Sequence, residues 1–263
     1  MSLSVEKNLI FDSHAHYDDH AFNEDRDRVL PGLVLNGVGN VVDVCAKLGD
    51  LEKVISLANK YDFMYAASGV HPSETAELNE SNFTEIIESL KEPKVVAVGE
   101  VGLDYHWDEP SRDVQKKWFA MQIGLARQEK YPLIIHSRDA AADTLDMMKA
   151  ENARDAGGVI HCFSYEKELA RIYLDMGFYL GIGGVLTFKN ARKLKEVVEY
   201  MPIERMLLET DCPYLAPVPF RGKRNDSTMI KYVVEEIAQI KHMDIEEIIG
   251  VTAANATAMY RLN

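Results

Sequence analysis

Cysteine is scarce: the 263 residues contain three, Cys45, Cys162 and Cys212, which lie far apart and form no Cys-x-x-Cys pair. An odd, scattered set argues against a disulfide framework and suits a reducing compartment. Long apolar runs are missing too. None approaches the roughly 18 residues a membrane span requires, and Met1 to Phe11 lacks the apolar core of a secretory signal. The expectation is a cytoplasmic protein with no membrane partner. Basic residues are outnumbered, 29 against 42 acidic ones, for a net charge of −13. That is the wrong sign for coating nucleic acid through a broad basic face, so a polyanion would need a local patch or metal ions to hold it. Much of the acid lies in stretches such as Val233–Glu236 and Asp244–Glu247, where it reads as solvated helix face. No proline-, glycine- or serine-rich linker divides the chain, and a single domain over residues 1–263 is expected.

What is present is a repeated beat. Short apolar, β-branched runs occur at residues 40–45, 63–70, 94–99, 132–135, 157–160, 177–181 and 206–208, after an opening run that begins at Leu9. Such runs suit strands buried on both faces. Helical patterns separate them, over residues 22–36, 50–61, 81–90, 111–129, 140–152, 165–176 and 189–201, and two more close the chain at 228–242 and 245–260. Alternating strands and helices imply right-handed βαβ units and a parallel sheet. About eight such units make the arithmetic of an α/β (β/α)₈ TIM barrel. The alternative, a doubly wound open sheet, concentrates its polar residues at one switch point. Here they end many strands.

Those strand ends carry the chemistry, because a parallel barrel builds its site from the loops at the C-terminal ends of its strands. His14 and His16 follow strand 1, His71 strand 3, Glu100 strand 4, His136 strand 5, His161 strand 6 and Asp211 strand 8. Spaced i, i+2 on extended backbone, His14 and His16 point the same way, as two ligands of one ion must. Four imidazoles and two carboxylates exceed the needs of one tetrahedral ion and suit two divalent ions sharing a carboxylate. One ion is placed on His14, His16, Glu100 and Asp211, and the second on Glu100, His136 and His161, with Glu100 as the bridge. His71, before Pro72, reads as a turn residue or a neighbour of the ligands. Cys162 and Cys212 adjoin ligands and face the other way; His20, His106 and His242 read as surface residues. Mixed His/carboxylate ligation admits Mg²⁺, Mn²⁺, Fe²⁺ or Zn²⁺.

The same residues carry a family resemblance. The segments Leu9–His16, Gly69–Pro72, Gly99–Tyr105, His136–Arg138, Gly158–Ser164 and Leu208–Leu215 resemble the successive signatures of the TatD family of metal-dependent deoxyribonucleases. The resemblance runs from strand 1 through Pro219–Asn225, essentially the whole chain. It implies a TIM-barrel hydrolase with a two-metal site and DNase activity, commonly 3′ to 5′ on single strands. One departure is visible: family members usually carry an acidic residue and then proline after the Arg-Gly-Lys-Arg-Asn run, whereas here Asp226 precedes Ser227.

Metal-activated water is the expected nucleophile, with Asp211 accepting its proton and Glu100 bridging. Arg221, Lys223 and Arg224, with Arg138, are candidates to hold backbone phosphate. Tyr105, Trp107 and Phe163 follow strand-end residues and would either stack on a base or pack the loops. Single-stranded nucleic acid is the expected substrate, and the protein is expected to be a monomer or weak homo-oligomer. Two rivals remain open: an amidohydrolase-like enzyme cleaving C–N or C–O bonds of a small metabolite, and a non-catalytic metal-binding protein.

Overall fold

The computed structural model describes residues 8–107 and 109–262. Eight strands form one parallel sheet in chain order: β1 Ile10–Ala15, β2 Val38–Val44, β3 Met64–Ser68, β4 Val95–Asp104, β5 Leu133–Arg138, β6 Gly158–Ile160, β7 Tyr179–Ile182 and β8 Met206–Leu208. The sheet closes just beyond β8, where Ala15 bridges Cys212 and the Asp211 N–H donates to the His14 carbonyl at 3.0 Å. The fold is therefore a (β/α)₈ TIM barrel.

Helices α1 Arg26–Leu35, α2 Leu51–Lys60, α3 Phe83–Ser89, α4 Arg112–Glu129, α5 Ala141–Ala150, α6 Lys167–Asp175, α7 Arg192–Tyr200, α8 Ile230–Lys241 and α9 Ile245–Met259 follow the strands. Cover on both faces explains why the strands are mostly apolar, with many of their polar residues toward the C-terminal ends. Val42, Val96 and Ile134 fill the barrel interior, while their neighbours Val41, Val95, Leu133 and Ile135 pack against the helices. At the N-terminal end, the interior is stoppered by Met259 and Tyr260 of the α9 end; the Tyr260 ring stacks on Phe11 at 6.0 Å and its hydroxyl donates to the Ser13 carbonyl at 2.6 Å. No helix among the described residues is long and apolar enough to cross a membrane.

Among the boundaries that differ from the sequence pattern, two bear on the site. Strand β4 continues through Glu100 to Asp104, because its register with β5 holds as far as Asp104 opposite Arg138. Gly102 makes this possible: its φ is 145°, and a Cβ there would stand 1.9 Å from the His136 carbonyl oxygen. Helix α1 starts at Arg26, preceded by a short 3₁₀ turn at His20–Phe22 whose cap, Asp19, accepts the Ala21 N–H at 2.7 Å.

Candidate metal centre

At the C-terminal ends of the strands the ionisable residues converge on Glu100. The His14 and His16 Nε2 atoms stand 3.1 Å apart, as their shared strand face demands. Asp211 Oδ1 lies 3.7 and 3.3 Å from them, and Glu100 Oε2 lies 3.4 and 3.7 Å. Ligands about 2.1 Å from a tetrahedral ion are separated by about 3.4 Å. These four side chains thus carry the donor types and the spacing a divalent ion takes, and they fit one.

Glu100 Oε1 faces the other way. It is 2.7 Å from His136 Nδ1, 3.1 Å from His161 Nε2 and 3.8 Å from His71 Nε2. The His14 and His161 rings stack at 3.8 Å between centroids, joining the two groups. Donor atoms cluster tightly in three overlapping sets: His14, His16 and Asp211; His14, Glu100 and His161; and His71, Glu100 and His136.

Electrostatics follow from this crowding. Burial opposes ionisation of Glu100, but the imidazoles of His161, His71, His14 and His136 outweigh it and hold the carboxyl well below its usual range. Burial likewise opposes charge on His16, yet the hydrogen bond and charge of Asp211, with the charge of Glu100, push it up to about 10. Burial pushes His71 down to about 3, helped by its neighbour His136. The Glu100 carboxylate is thus kept anionic, as a shared ligand must be.

For His16 and His71 the far side of the ring shows where a proton sits. His16 Nδ1 lies 2.8 Å from the Val44 carbonyl. That oxygen can only accept, so Nδ1 carries a proton, and it is the Nε2 proton facing Asp211 that an ion must displace to gain the lone pair. His71 is reversed: its Nδ1 accepts the Ser73 N–H at 3.2 Å. The neutral ring's proton is therefore left on Nε2. A ring with its proton there is a donor toward the centre, not a ligand. Asp211 adopts a left-handed φ of 58°. Strained conformations of this kind collect at functional sites.

Comparison with known proteins shows the family. The model of the family described as TatD related DNase matches residues 11–261. The chain belongs to that TatD family. The protein named uncharacterized metal-dependent hydrolase YabD, from Bacillus subtilis, is 44% identical over 255 residues, which cover 97% of this chain and 100% of the relative. The similarly named YcfH of Escherichia coli K12 is 36% identical, with 97% of each chain covered. Among solved structures, the TatD homologue YjjV of Escherichia coli K12 superposes with a TM-score of 0.91 at 28% identity, covering 97% of this chain and 98% of that one.

Three buried carboxylates of this TatD-family chain escaped the reading of strand ends. Asp104 Oδ2 lies 3.1 Å from His136 Nε2, and its Oδ1 accepts the His106 N–H at 2.9 Å. Glu209 Oε1 faces His161 Nδ1 at 3.5 Å. Asp12 joins the closing seam, accepting hydrogen bonds from the hydroxyls of Thr210 at 2.7 Å and Ser227 at 2.6 Å; burial pushes it up to about 7. All three sit an even number of residues from a candidate ligand: Asp104 from Glu100, Glu209 from Asp211, Asp12 from His14. For Asp12 and Asp104 that spacing, which puts two strand residues on one face, was the signal available; Glu209 and Asp211 lie just past β8. Ser227, which stands where family members usually have proline, also donates its N–H to the Tyr17 hydroxyl at 2.9 Å. Proline, with no N–H, could not make that bond.

The residues read as substrate contacts are dispersed. Arg224 forms a two-pronged pair with Asp25, both oxygens at 2.7 Å, and donates to the Ala21 carbonyl, tying the loop after β8 to the one after β1. Arg221 lies over the Phe188 ring at 4.4 Å. Lys223 and Arg138 are exposed. The Tyr105 hydroxyl donates to Asp143 at 2.7 Å, and its ring packs against the Arg112 guanidinium at 4.2 Å, turned toward α4 and α5. Phe163 is buried against Tyr165 and Tyr173. Trp107 stands 63% exposed, and of these three aromatics it has the face open to a partner.

Proposed function

We propose that this TatD-family protein is a divalent-metal-dependent hydrolase that cleaves phosphodiester bonds of DNA, acting as a 3′ to 5′ exonuclease on single strands. The observation that carries the reading is Glu100, whose two carboxylate oxygens face two different sets of donors. His14, His16, Glu100 and Asp211 would hold one ion, and Glu100, His136 and His161 the other. When bound, such ions lower the pKa of water and stabilise developing charge on phosphoryl oxygens.

The chain's own residues supply the rest. Asp211 is more exposed than Glu100, its side chain 18% accessible against 4%. It is the carboxylate placed to take a proton from an incoming water. His71, with its proton on Nε2, is placed to donate to a phosphoryl oxygen or to Glu100. Lys223 and Arg138 are the exposed cations for backbone phosphate, and Trp107 offers a stacking face for a base. Exposed cations near the strand ends are what a polyanion would need on a chain whose net charge is −13.

The test is degradation of end-labelled single-stranded DNA by protein stripped with EDTA and then given Mg²⁺, Mn²⁺ or Zn²⁺. Loss on stripping, recovery on reloading and shortening from the 3′ end are expected. Full activity in stripped protein would overturn the metal reading. Hydrolysis of lactones or cyclic amides without DNA cleavage would put the small-metabolite amidohydrolase in its place.

A further inference from the structure

Glu209 is a buried carboxylate that the proposed chemistry leaves without a task. It is 1% exposed, and one of its oxygens, Oε2, has no hydrogen-bond partner among the described residues. Removing a carboxylate from water costs several kcal/mol unless it is paired, so its place requires a reason. The fold leaves room for it. A Cβ on Gly181 would stand 2.1 Å from Oε2, and one on Gly183 would lie 3.5 Å from the Glu209 Cγ. Two glycines of the β7 end thus form the wall of its niche, and a side chain at Gly181 would close it.

From that niche Glu209 addresses two groups that adjoin in sequence. Oε1 accepts the Cys162 N–H at 2.6 Å, and Cys162 has a left-handed φ of 46°. The same oxygen lies 3.5 Å from Nδ1 of His161, and that nitrogen, also buried, has no hydrogen-bond partner among the described residues. Nε2 of the same ring points at Glu100. A carboxylate behind one nitrogen of a ligating imidazole selects the tautomer and aims the other nitrogen. It also pins the left-handed residue that turns the chain away from the ring.

We propose that Glu209 is the positioning residue for His161: it takes the Nδ1 proton as a hydrogen bond and holds the Nε2 lone pair toward the bridging carboxylate. This rests on His161 being a metal ligand. A purely structural role, capping Cys162, needs only an acceptor, which glutamine supplies; positioning His161 draws in addition on the negative charge, which glutamine lacks.

Competition titration with Zn²⁺ against a chromophoric chelator separates the two roles, using the full chain, Glu209→Gln and His161→Asn, with near-ultraviolet circular dichroism to compare folding. The expectation is that Glu209→Gln keeps the dichroism but binds the ion lost in His161→Asn about 10- to 100-fold more weakly than the unaltered protein, the usual cost of losing a ligand's outer partner. Equal affinity in Glu209→Gln, with the ion lost in His161→Asn, would overturn the role of Glu209 alone. Full zinc content in His161→Asn would overturn the ligand assignment beneath it. Should Glu209→Gln not fold, ¹⁵N-histidine NMR of the zinc-loaded unaltered protein decides. A slowly exchanging, downfield Nδ1–H that disappears in His161→Asn is expected, and a proton-free Nδ1 on that ring would overturn the proposal.

Discussion

The two halves of the centre around Glu100 are built from the same residue types but prepared differently. Around His14, His16 and Asp211 the donor atoms stand between 3.1 Å and 3.7 Å apart. That is close to the separation of ligands sharing one ion. Around His136 they are in direct hydrogen-bond contact: Nδ1 is 2.7 Å from Glu100 and Nε2 is 3.1 Å from Asp104. Burial opposes charge on His136, but those two carboxylates raise its proton affinity above the ordinary value. An ion entering either half displaces a proton, from His136 in this half and from His16 in the other; in this half it must also part the 2.7 Å contact between His136 and Glu100, whereas the donors of the other half already stand near ligand spacing. Preorganisation of this kind lowers the cost of binding. The contrast originates in β4, whose extension to Asp104 gives the ring of His136 a second carboxylate partner.

The largest effect tests what the halves share. On the proposed two-ion reading Glu100→Ala removes a ligand from both, so both ions should be lost by elemental analysis. Loss of several kcal/mol of charge stabilisation corresponds to a fall in DNA cleavage on the order of 10³-fold, at about 1.4 kcal/mol per factor of ten. Retention of one ion at full occupancy would dissolve the bridge. Next comes the order of filling. Calorimetric titration of stripped protein with Mn²⁺ should resolve a first equivalent bound at least roughly tenfold more tightly than the second, from the avoided rearrangement. His14→Ala should remove the tight equivalent and His136→Ala the weak one, and the reverse assignment would invert the comparison.

Asp104→Asn probes the half that needs rearrangement. It should weaken the second equivalent by about 10- to 100-fold, through loss of the partner that orients His136, while leaving the first unchanged; equal weakening of both would mean that Asp104 acts on the whole centre. The smallest effect is expected of His71→Ala. Losing one hydrogen bond to a charged group, about 1.5 kcal/mol, should slow cleavage about tenfold with metal content intact. Loss of a metal equivalent in this variant would make His71 a ligand and void its tautomer assignment.

What the chain order determines is substantial. Apolar runs alternating with helical patterns give the parallel sheet, because strands covered on both faces are mostly apolar, and polar residues at the ends of many strands select the barrel over the open sheet. The even spacing of His14 and His16 places both rings on one face, since extended backbone leaves them no other choice. Membership of the TatD family is legible in the same segments. Tertiary structure decides which of the remaining groups meet. Asp12 and Asp104 stand at even spacing from candidate ligands on their strands, and Glu209 follows β8, but whether a carboxylate touches an imidazole on another strand depends on barrel register and on the clearance beside Gly181 and Gly102. Arg224 shows the converse. A basic run after β8 reads as a phosphate grip, yet its last guanidinium is taken up by Asp25, 199 residues away in sequence. Periodicity reports the face a side chain occupies, and only closure of the barrel brings the faces together, where hydrogen-bond and ligand distances decide between a contact and none.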